Sequence, residues 1–100
     1  MDTYKLRILP IAQQDMRDIV AYVNTLSPVS ALELYDDIVD GIGSLSTMPM
    51  RQALLKTSEL RAKGYRALCV ENYTVFYVIL SDTVQIRRIL YTKRQFESLL

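Results

Sequence analysis

Residues 64–94, GYRALCVENYTVFYVILSDTVQIRRILYTKR, are rich in the β-branched and aromatic types that favour strands. Two pairs of turn-forming residues interrupt this stretch: Glu71 with Asn72, and Ser81 with Asp82. Such short polar interruptions are typical of tight hairpins. The three segments that they separate, which we predict to be antiparallel strands, are residues 65–70, 73–80 and 84–92. The middle segment is apolar at almost every position, which predicts a central strand buried on both faces.

The first half of the chain has a different period. Residues 4–9 alternate weakly, which predicts a first strand. Apolar residues then recur at helical spacing over residues 11–26, opposite a polar face that carries Asp15. The helical spacing resumes at Pro28, after a capping serine, and ends near residues 48–49. These patterns predict two amphipathic helices joined by a short link, a hairpin that needs a further layer to bury its apolar stripes.

The predicted fold class is α+β, with the element order β-α-α-β-β-β and a two-helix hairpin packed on a small, mainly antiparallel sheet. No linker or internal repeat divides residues 1–100, so we expect a single domain, with a last helical turn in the tail, residues 94–100. The longest apolar run, residues 75–80, is far shorter than the ~18 residues of a membrane-spanning helix, so no membrane partner is expected.

The composition of the chain excludes several classes of enzyme. There is no histidine, which removes Ser/His and Cys/His catalysis, histidine-ligated metals and the usual general base near neutral pH. The one cysteine, Cys69, has no partner for a disulfide or a zinc site, which predicts a reducing cytoplasm. The sequence indicates no metal site and no cofactor. We expect Cys69 itself to be a small buried residue of a strand.

The formal net charge of +1 conceals an uneven distribution of charge. Residues 1–50 contain three Lys and Arg against seven Asp and Glu, whereas residues 51–100 contain nine against four, so the two halves carry −4 and +5. A neutral total can therefore hide a dipolar molecule whose basic part meets an anionic partner. On the predicted second helix, Asp36, Asp37 and Asp40 lie near one another, but nothing fixes a metal geometry there and a solvated helix face explains them as well.

The strongest candidate for chemistry is a basic and aromatic group on the predicted strands. Strict alternation along the last strand predicts that Arg87 and Tyr91 share one face and that Arg88 lies on the other. The alternative is a structural role. In that case Arg88 pairs with a helix carboxylate such as Asp37 or Asp40, and the remaining charges coat an open sheet.

Three motifs on these strands resemble the RelE/ParE superfamily of type II toxins: GYRALCV at residues 64–70, YTVFY at 73–77 and IRRILYTKR at 86–94. The resemblance extends over nearly the whole chain, from the helix start at Pro10 to the helix end at residues 48–49. It implies a small toxin that a cognate antitoxin wraps and neutralises. Two activities occur on this fold: RelE-type members cut mRNA on the ribosome, and ParE-type members poison DNA gyrase and are not nucleases.

A RelE-like nuclease needs a base, an acid and cations around the scissile phosphate. Tyr91 matches the position at which many RelE-like nucleases have a functional Tyr or His, and Arg66 and Arg87 complete the candidate catalytic set. The sequence departs from the nuclease pattern at Thr74, where those proteins usually have an arginine. A threonine supplies no positive charge to hold a phosphate.

The ParE-like pattern Gly-x-Arg-x-Leu-x-Val, which begins at Gly64 and contains Arg66, is the closer match, although ParE-like proteins often have histidine at the position of Tyr91. Gyrase inhibition is therefore the leading hypothesis, a ribosome-dependent endoribonuclease is the alternative, and an inactive antitoxin-binding protein is the third. Basic residues outside the predicted core of the strands are candidate target contacts, or else they only keep exposed loops soluble. They are Arg51, Lys56, Arg61, Lys63, Lys93 and Arg94.

Overall fold

The computed structural model describes residues 3–100. Its helices and strands, in chain order, are β1 (Lys5–Ile8), α1 (Pro10–Leu26), α2 (Pro28–Ser44), α3 (Ser58–Ala62), β2 (Arg66–Val70), β3 (Tyr73–Leu80) and β4 (Thr83–Tyr91). Short 3₁₀ turns occupy Pro49–Arg51 and Glu97–Leu99, and the second of these is the helical turn predicted in the tail. Met1 and Asp2, which belong to the predicted domain of residues 1–100, lie outside the described residues.

The strands form one sheet in the order β1-β4-β3-β2. β3 pairs antiparallel with β2 and β4, whereas β1 lies parallel to β4. Tight turns connect β2 to β3 and β3 to β4, and in them Glu71 and Ser81 adopt positive φ angles of 53° and 56°. The predicted hairpins, the central position of β3 and the α+β fold class are confirmed.

Ser27 both ends the first helix and begins the second. Its N–H donates to the Val23 carbonyl at 2.8 Å, and its side-chain oxygen accepts a hydrogen bond from the Ser30 N–H at 3.2 Å. Pro28 then occupies the first position of α2, where no intrahelical N–H is needed. The predicted helix hairpin is therefore confirmed. None of the described helices is long and apolar enough to cross a membrane.

The second helix ends at Ser44, earlier than the predicted break at residues 48–49. Hydroxyl groups of Ser44, Ser46 and Thr47 donate to backbone carbonyls three residues back, at 2.6, 2.9 and 3.2 Å. The Gly43 and Ser44 carbonyls also accept backbone hydrogen bonds, from the Ser46 N–H at 3.2 Å and the Met48 N–H at 3.3 Å. The helix thus ends in a run of hydroxyl residues and tight turns before the proline is reached.

Two apolar clusters lie on opposite faces of the sheet. The inner cluster is packed between the helix hairpin and the sheet, and includes Ile38 and Ile86. The outer cluster covers the other face and includes Leu60 of α3, Tyr65 and Leu90. We call these two sides of the sheet the inner face and the outer face.

The outer face of β4 is covered by other parts of the chain. Leu90 is 3% exposed and belongs to the outer cluster, together with Leu60 of α3 and with Phe96 and Leu99 of the C-terminal tail. α3 buries only Leu60, and one apolar residue cannot produce helical spacing in a sequence. The element that covers this face therefore leaves no periodic signal.

Cys69 is exposed, so the prediction that it is buried is wrong. β2 lies at the end of the sheet and pairs with β3 on one side only. On its other side, a single bridge joins Leu54 to Arg66 at the start of the strand. Leu68 and Val70 on either side of Cys69 pack against the inner cluster, so the Cys69 side chain points to the opposite face of this end strand, where it contacts solvent.

Gly64 turns the chain from α3 into β2. Its φ of +82° lies in the left-handed region, which residues with a Cβ disfavour. The Gly64 N–H donates to the Arg61 carbonyl at 3.0 Å. The Tyr65 N–H donates to the Leu60 carbonyl at 3.1 Å, and the side chains of Leu60 and Tyr65 both belong to the outer cluster. This pair of hydrogen bonds closes the helix and sets the direction in which the strand begins at Arg66.

A β-bulge interrupts the pairing of β4 with β3. The register skips Arg87, which lies between Ile86 and Arg88 and has no partner on β3. Ile86 and Ile89 both belong to the inner cluster, although residues three apart on a regular strand point to opposite faces. The bulge therefore reverses the alternation of side chains along the rest of β4.

Asp15 of α1 binds the residues next to the bulge. Its carboxylate accepts hydrogen bonds from Arg88 Nε at 2.7 Å, from Arg88 Nη2 at 2.9 Å and from the Ile89 N–H at 3.0 Å. Ile86 is the last residue of β4 that pairs with β1, so β1 offers no acceptor for the Ile89 N–H. The carboxylate of Asp15 accepts this hydrogen bond instead. The hydrogen bond with Asp15 raises the pKa of Arg88.

Two sequence-based expectations are corrected by this contact. The side chain of Asp15 is 12% exposed and does not belong to a solvated helix face. Arg88 does pair with a helix carboxylate, but with Asp15 rather than with Asp37 or Asp40. The reason is that α1, not α2, packs along β4.

We expect Asp15→Asn to lower the free energy of unfolding by about 2–4 kcal/mol, because the change leaves Arg88 largely buried without its counter-charge. Chemical denaturation followed by circular dichroism measures the loss. Asp82→Asn is the matched control, since Asp82 pairs with Lys5 at 3.5 Å where both side chains are more than half exposed. A loss for Asp15→Asn no larger than that of the control would contradict the structural role of Asp15.

We expect Gly64→Ala to lower the free energy of unfolding by about 1 kcal/mol, because a Cβ is strained at its positive φ. Gly43→Ala is the control, since neither glycine has a heavy atom within 4 Å of the place a Cβ would take. Gly43 lies in α2, where alanine is expected to stabilise by up to about 1 kcal/mol. Equal effects of the two changes in denaturation experiments would contradict the role of the Gly64 turn.

Candidate functional site

Arg66 anchors the loop that precedes α3. It is opposite Tyr77 on β3, and its Nη1 donates to the Gln52 carbonyl oxygen at 2.5 Å. Tyr77 is fully buried and donates its hydroxyl to the Pro49 carbonyl at 2.5 Å. Burial raises the pKa of Tyr77, and the positive charge of Arg66 opposes that rise only in part. Arg66 is therefore half-buried in a structural contact, and Tyr77 stays a neutral hydroxyl.

Arg87, the bulged residue, lies over the ring of Tyr65 on the outer face. Its Cζ is 5.8 Å from the ring centroid, a distance at which an aromatic ring attracts a guanidinium. Among residues 3–100, its Nε is buried and has no hydrogen-bond partner. The side chain is thus held by the outer cluster.

Tyr91 lies at the end of β4 on the inner face. It is opposite Tyr73, and the two ring centroids are 5.9 Å apart with an interplanar angle of 67°. The side chain is 45% exposed. The prediction that Arg87 and Tyr91 share a face is wrong, because the bulge reverses the alternation between them.

The structure does not bring the three candidate catalytic residues together. Arg66 and Tyr91 flank β3 as the hairpins predict, but they are opposite different residues. Arg66 is opposite Tyr77, and Tyr91 is opposite Tyr73. Four residues of strand between these positions correspond to about 13 Å. Arg87 lies on the other face, so the three side chains occupy three separate environments.

Thr74, where the sequence departs from the nuclease pattern, has a structural contact. It is 5% exposed, and its Oγ1 is 2.9 Å from Oγ1 of Thr92. The Thr92 N–H also donates to the Asn72 carbonyl at 2.8 Å. These contacts tie the end of β4 to the β2–β3 hairpin with uncharged groups.

The predicted target-binding residues are exposed and lie on the two segments that cover the outer face. The segment between α2 and β2 carries Arg51, Lys56, Arg61 and Lys63, and the segment after β4 carries Lys93 and Arg94. Both segments contribute apolar side chains to the outer cluster. Lys63 pairs with Glu59 at 3.3 Å, whereas the other five form no ion pair within residues 3–100. Five cations are therefore available to a partner. Lys56, Arg61, Lys93 and Arg94 lie on the outer side, whereas Arg51 lies near Pro49, whose carbonyl binds Tyr77 of the inner cluster.

Acidic residues are concentrated on the opposite side. Asp36, Asp37 and Asp40 are exposed on α2. Glu71, in the turn between β2 and β3, lies beside this helix. The neighbouring carboxyl group of Asp37 raises the pKa of Glu71, and slight burial and the charge of Glu33 raise it further. In the part of the chain that the structure describes, no three Asp, Glu, Cys or His residues are placed to hold a metal ion.

A groove of about 680 Å³ lies between the tip of the helix hairpin and the end of the sheet. Tyr22 and Leu26 of α1 line one side and Tyr73 and Tyr91 line the other. Burial raises the pKa of Tyr73, and the neighbouring hydroxyls of Tyr22 and Tyr91 raise it further, so Tyr73 stays a neutral hydroxyl at physiological pH.

Sequence reasoning missed this groove. The helical pattern assigns Leu26 to the stripe that the sheet buries, yet Leu26 is 70% exposed. The signal that was available is the width of the stripe: Tyr22 adjoins it, so the apolar surface at the end of α1 is wider than one sheet can cover.

A family model described as the ParE toxin of type II toxin–antitoxin systems, parDE, matches residues 6–96. Two solved structures share the fold. The chromosomal ParDE toxin–antitoxin system of P. aeruginosa is 23% identical, with a TM-score of 0.74, and the match covers 91% of this chain and 98% of that chain. The toxin–antitoxin complex RelBE2 of Mycobacterium tuberculosis is 24% identical, with a TM-score of 0.62, and the match covers 89% and 98%. No curated protein matches the chain.

The two solved structures, at these identities, are similar in fold alone. The match to the family model is the stronger finding. The residues that it covers extend from β1 to the C-terminal tail and include the motifs on β2, β3 and β4. The resemblance to the RelE/ParE superfamily is confirmed, and the chain belongs to the family of ParE toxins of type II toxin–antitoxin systems.

Proposed function

We propose that the protein arrests growth by inhibiting DNA gyrase and that a cognate antitoxin neutralises it. The separation of Arg66, Arg87 and Tyr91 is the observation that favours this activity over RNA cleavage. A protein that inhibits an enzyme by binding needs a complementary surface, whereas a nuclease needs several reactive groups around one phosphate.

The contacts of the three side chains argue against a shared phosphate site. Arg66 donates to the Gln52 carbonyl, Arg87 lies over Tyr65, and Tyr91 packs on Tyr73 about 13 Å farther along β3 than Arg66. An acid, a base and their cations must each reach the reacting atoms within hydrogen-bond distance, roughly 3 Å. Without a rearrangement of β4, these residues cannot meet that requirement.

The exposed cations of the outer face are the target surface in this proposal. Gyrase acts on DNA, and a basic surface favours the approach to an enzyme that holds a polyanion. The acidic residues of α2 lie on the other side. A polyanion therefore attracts the outer face and repels the side that carries α2. We assign target contact to Arg51, Lys56, Arg61, Lys63, Lys93 and Arg94.

A cognate antitoxin is the second partner in this proposal. Both solved relatives are described as toxin–antitoxin systems, which supports an antitoxin for this chain. The cytoplasm is the compartment that the proposal requires, because DNA gyrase acts there. The exposed Cys69 is compatible with a reducing compartment.

The purified protein is expected to inhibit the ATP-dependent supercoiling of relaxed plasmid by gyrase and to leave relaxation by topoisomerase I unchanged. Lys56→Glu combined with Arg61→Glu should raise the half-inhibitory concentration about tenfold, because two attractive charges become repulsive. Arg17→Glu is the control: Arg17 is exposed on α1, in the helix hairpin on the other side of the sheet, and a change of less than about twofold is expected.

Normal supercoiling in the presence of excess protein would contradict the proposal. Cleavage of mRNA on translating ribosomes, lost in Tyr91→Phe, would identify the protein as the alternative, an endoribonuclease that uses Tyr91, Arg66 and Arg87. Unchanged growth on induction without antitoxin would instead identify an inactive antitoxin-binding protein.

A further inference from the structure

Negative charge is concentrated on the helix side of the molecule, which consists of α1, α2 and the turn between β2 and β3. Six carboxylates on this side form no ion pair within residues 3–100: Asp18, Glu33, Asp36, Asp37, Asp40 and Glu71. Glu71 belongs to this side because it lines a groove together with residues of α1 and α2. The helix side therefore repels an anionic ligand.

Positive charge is concentrated on the outer side, which consists of the outer face and the two segments that cover it. These segments carry five cations: Lys56, Arg61, Lys63, Lys93 and Arg94. They carry two carboxylates, and one of these, Glu59, pairs with Lys63 at 3.3 Å. Leu6 and Ile8 line a cleft against the helices, so Arg7 between them points to the outer side as well. The outer side therefore attracts an anionic ligand.

The spacing of these cations suits an extended polyanion better than a single small anion. One covering segment leads into β2 and the other follows β4, and these strands lie on either side of β3, about 10 Å apart. Duplex DNA carries one negative charge for about every 1.7 Å of its axis, so it meets cations on both segments at once. The described chain extends 38 Å along its longest axis, which limits the contact to about 11 base pairs.

We propose that the outer side of the protein binds the phosphate backbone of double-stranded DNA. The cations of the two covering segments contact phosphates, and the acidic helix side faces away from the duplex. Contacts of Lys and Arg with phosphates position a protein on DNA but do not read its sequence, so the binding is independent of sequence. This inference rests on the proposed function and deepens it, because it assigns the outer side to the DNA that gyrase holds rather than to the gyrase protein.

The test measures the affinity of the purified protein, without gyrase, for a fluorescently labelled duplex of about 20 base pairs by fluorescence anisotropy. We expect a dissociation constant between about 1 and 100 μM near 0.15 M KCl, the range of binding that is independent of sequence. Four cations of the covering segments form no ion pair within residues 3–100: Lys56, Arg61, Lys93 and Arg94. The logarithm of the binding constant should therefore fall against the logarithm of the salt concentration with a slope of about −3 to −4.

A pair of variants locates the contact. Arg94→Ala should weaken binding and reduce the magnitude of the salt slope by about 1, because one phosphate contact is lost. Arg17→Ala is the matched control, since it removes the same charge from an exposed arginine on the helix side. Its slope should equal that of the wild type. A purely structural role of Arg94 would not change the slope, and circular dichroism establishes that both variants are folded.

The outcomes separate this inference from the proposed function. A wild-type protein that inhibits gyrase but does not bind the duplex overturns the inference alone. Equal slopes for Arg94→Ala and Arg17→Ala also overturn it, because the outer side would then not be the contact. Tighter binding to a single-stranded RNA of the same length than to the duplex overturns the assignment to DNA. A protein that binds the duplex as expected but does not inhibit gyrase overturns the proposed function and leaves the DNA contact in place.

Discussion

The carboxylate of Asp15 joins the helix hairpin to the last strand. It accepts two hydrogen bonds from Arg88 and one from the Ile89 N–H, and both charged side chains are almost removed from solvent. Each charge alone in that place would carry a large desolvation penalty, so the two are stable only together. Arg88 also donates to the Leu99 carbonyl at 3.4 Å, so one network links α1, β4 and the tail that covers the outer face.

The functional consequences follow from the bulge beside this network. Because the register skips one residue, Arg87 turns outward to Tyr65, and Tyr91 turns inward to Tyr73. A regular strand would have placed both residues on one face, where a base and a cation could share a phosphate. Tyr91 instead faces the inner groove with its acidic rim, and Arg87 lies beneath the basic segments that cover the outer face.

The sequence predicts those parts of the fold that are encoded locally. The turns after β2 and β3 and the apolar run of β3 fix the strand order, and Ser27 followed by Pro28 fixes the helix hairpin. Asp15, which binds the two residues that follow the bulged Arg87, lies 72 positions before it in the chain, and no periodicity along β4 contains that contact. Among the candidate site residues, exposure of the loop cations is predictable from composition, whereas the separation of Arg87 from Tyr91 is not.

The bulge places Arg87 and Tyr91 on opposite faces of the sheet. Nuclear Overhauser effects in the isotopically labelled protein measure this arrangement directly. We expect cross-peaks between the Arg87 side chain and the Tyr65 ring, and between the rings of Tyr91 and Tyr73. Cross-peaks between the side chains of Arg87 and Tyr91, together with regular pairing of β3 with β4, would contradict it.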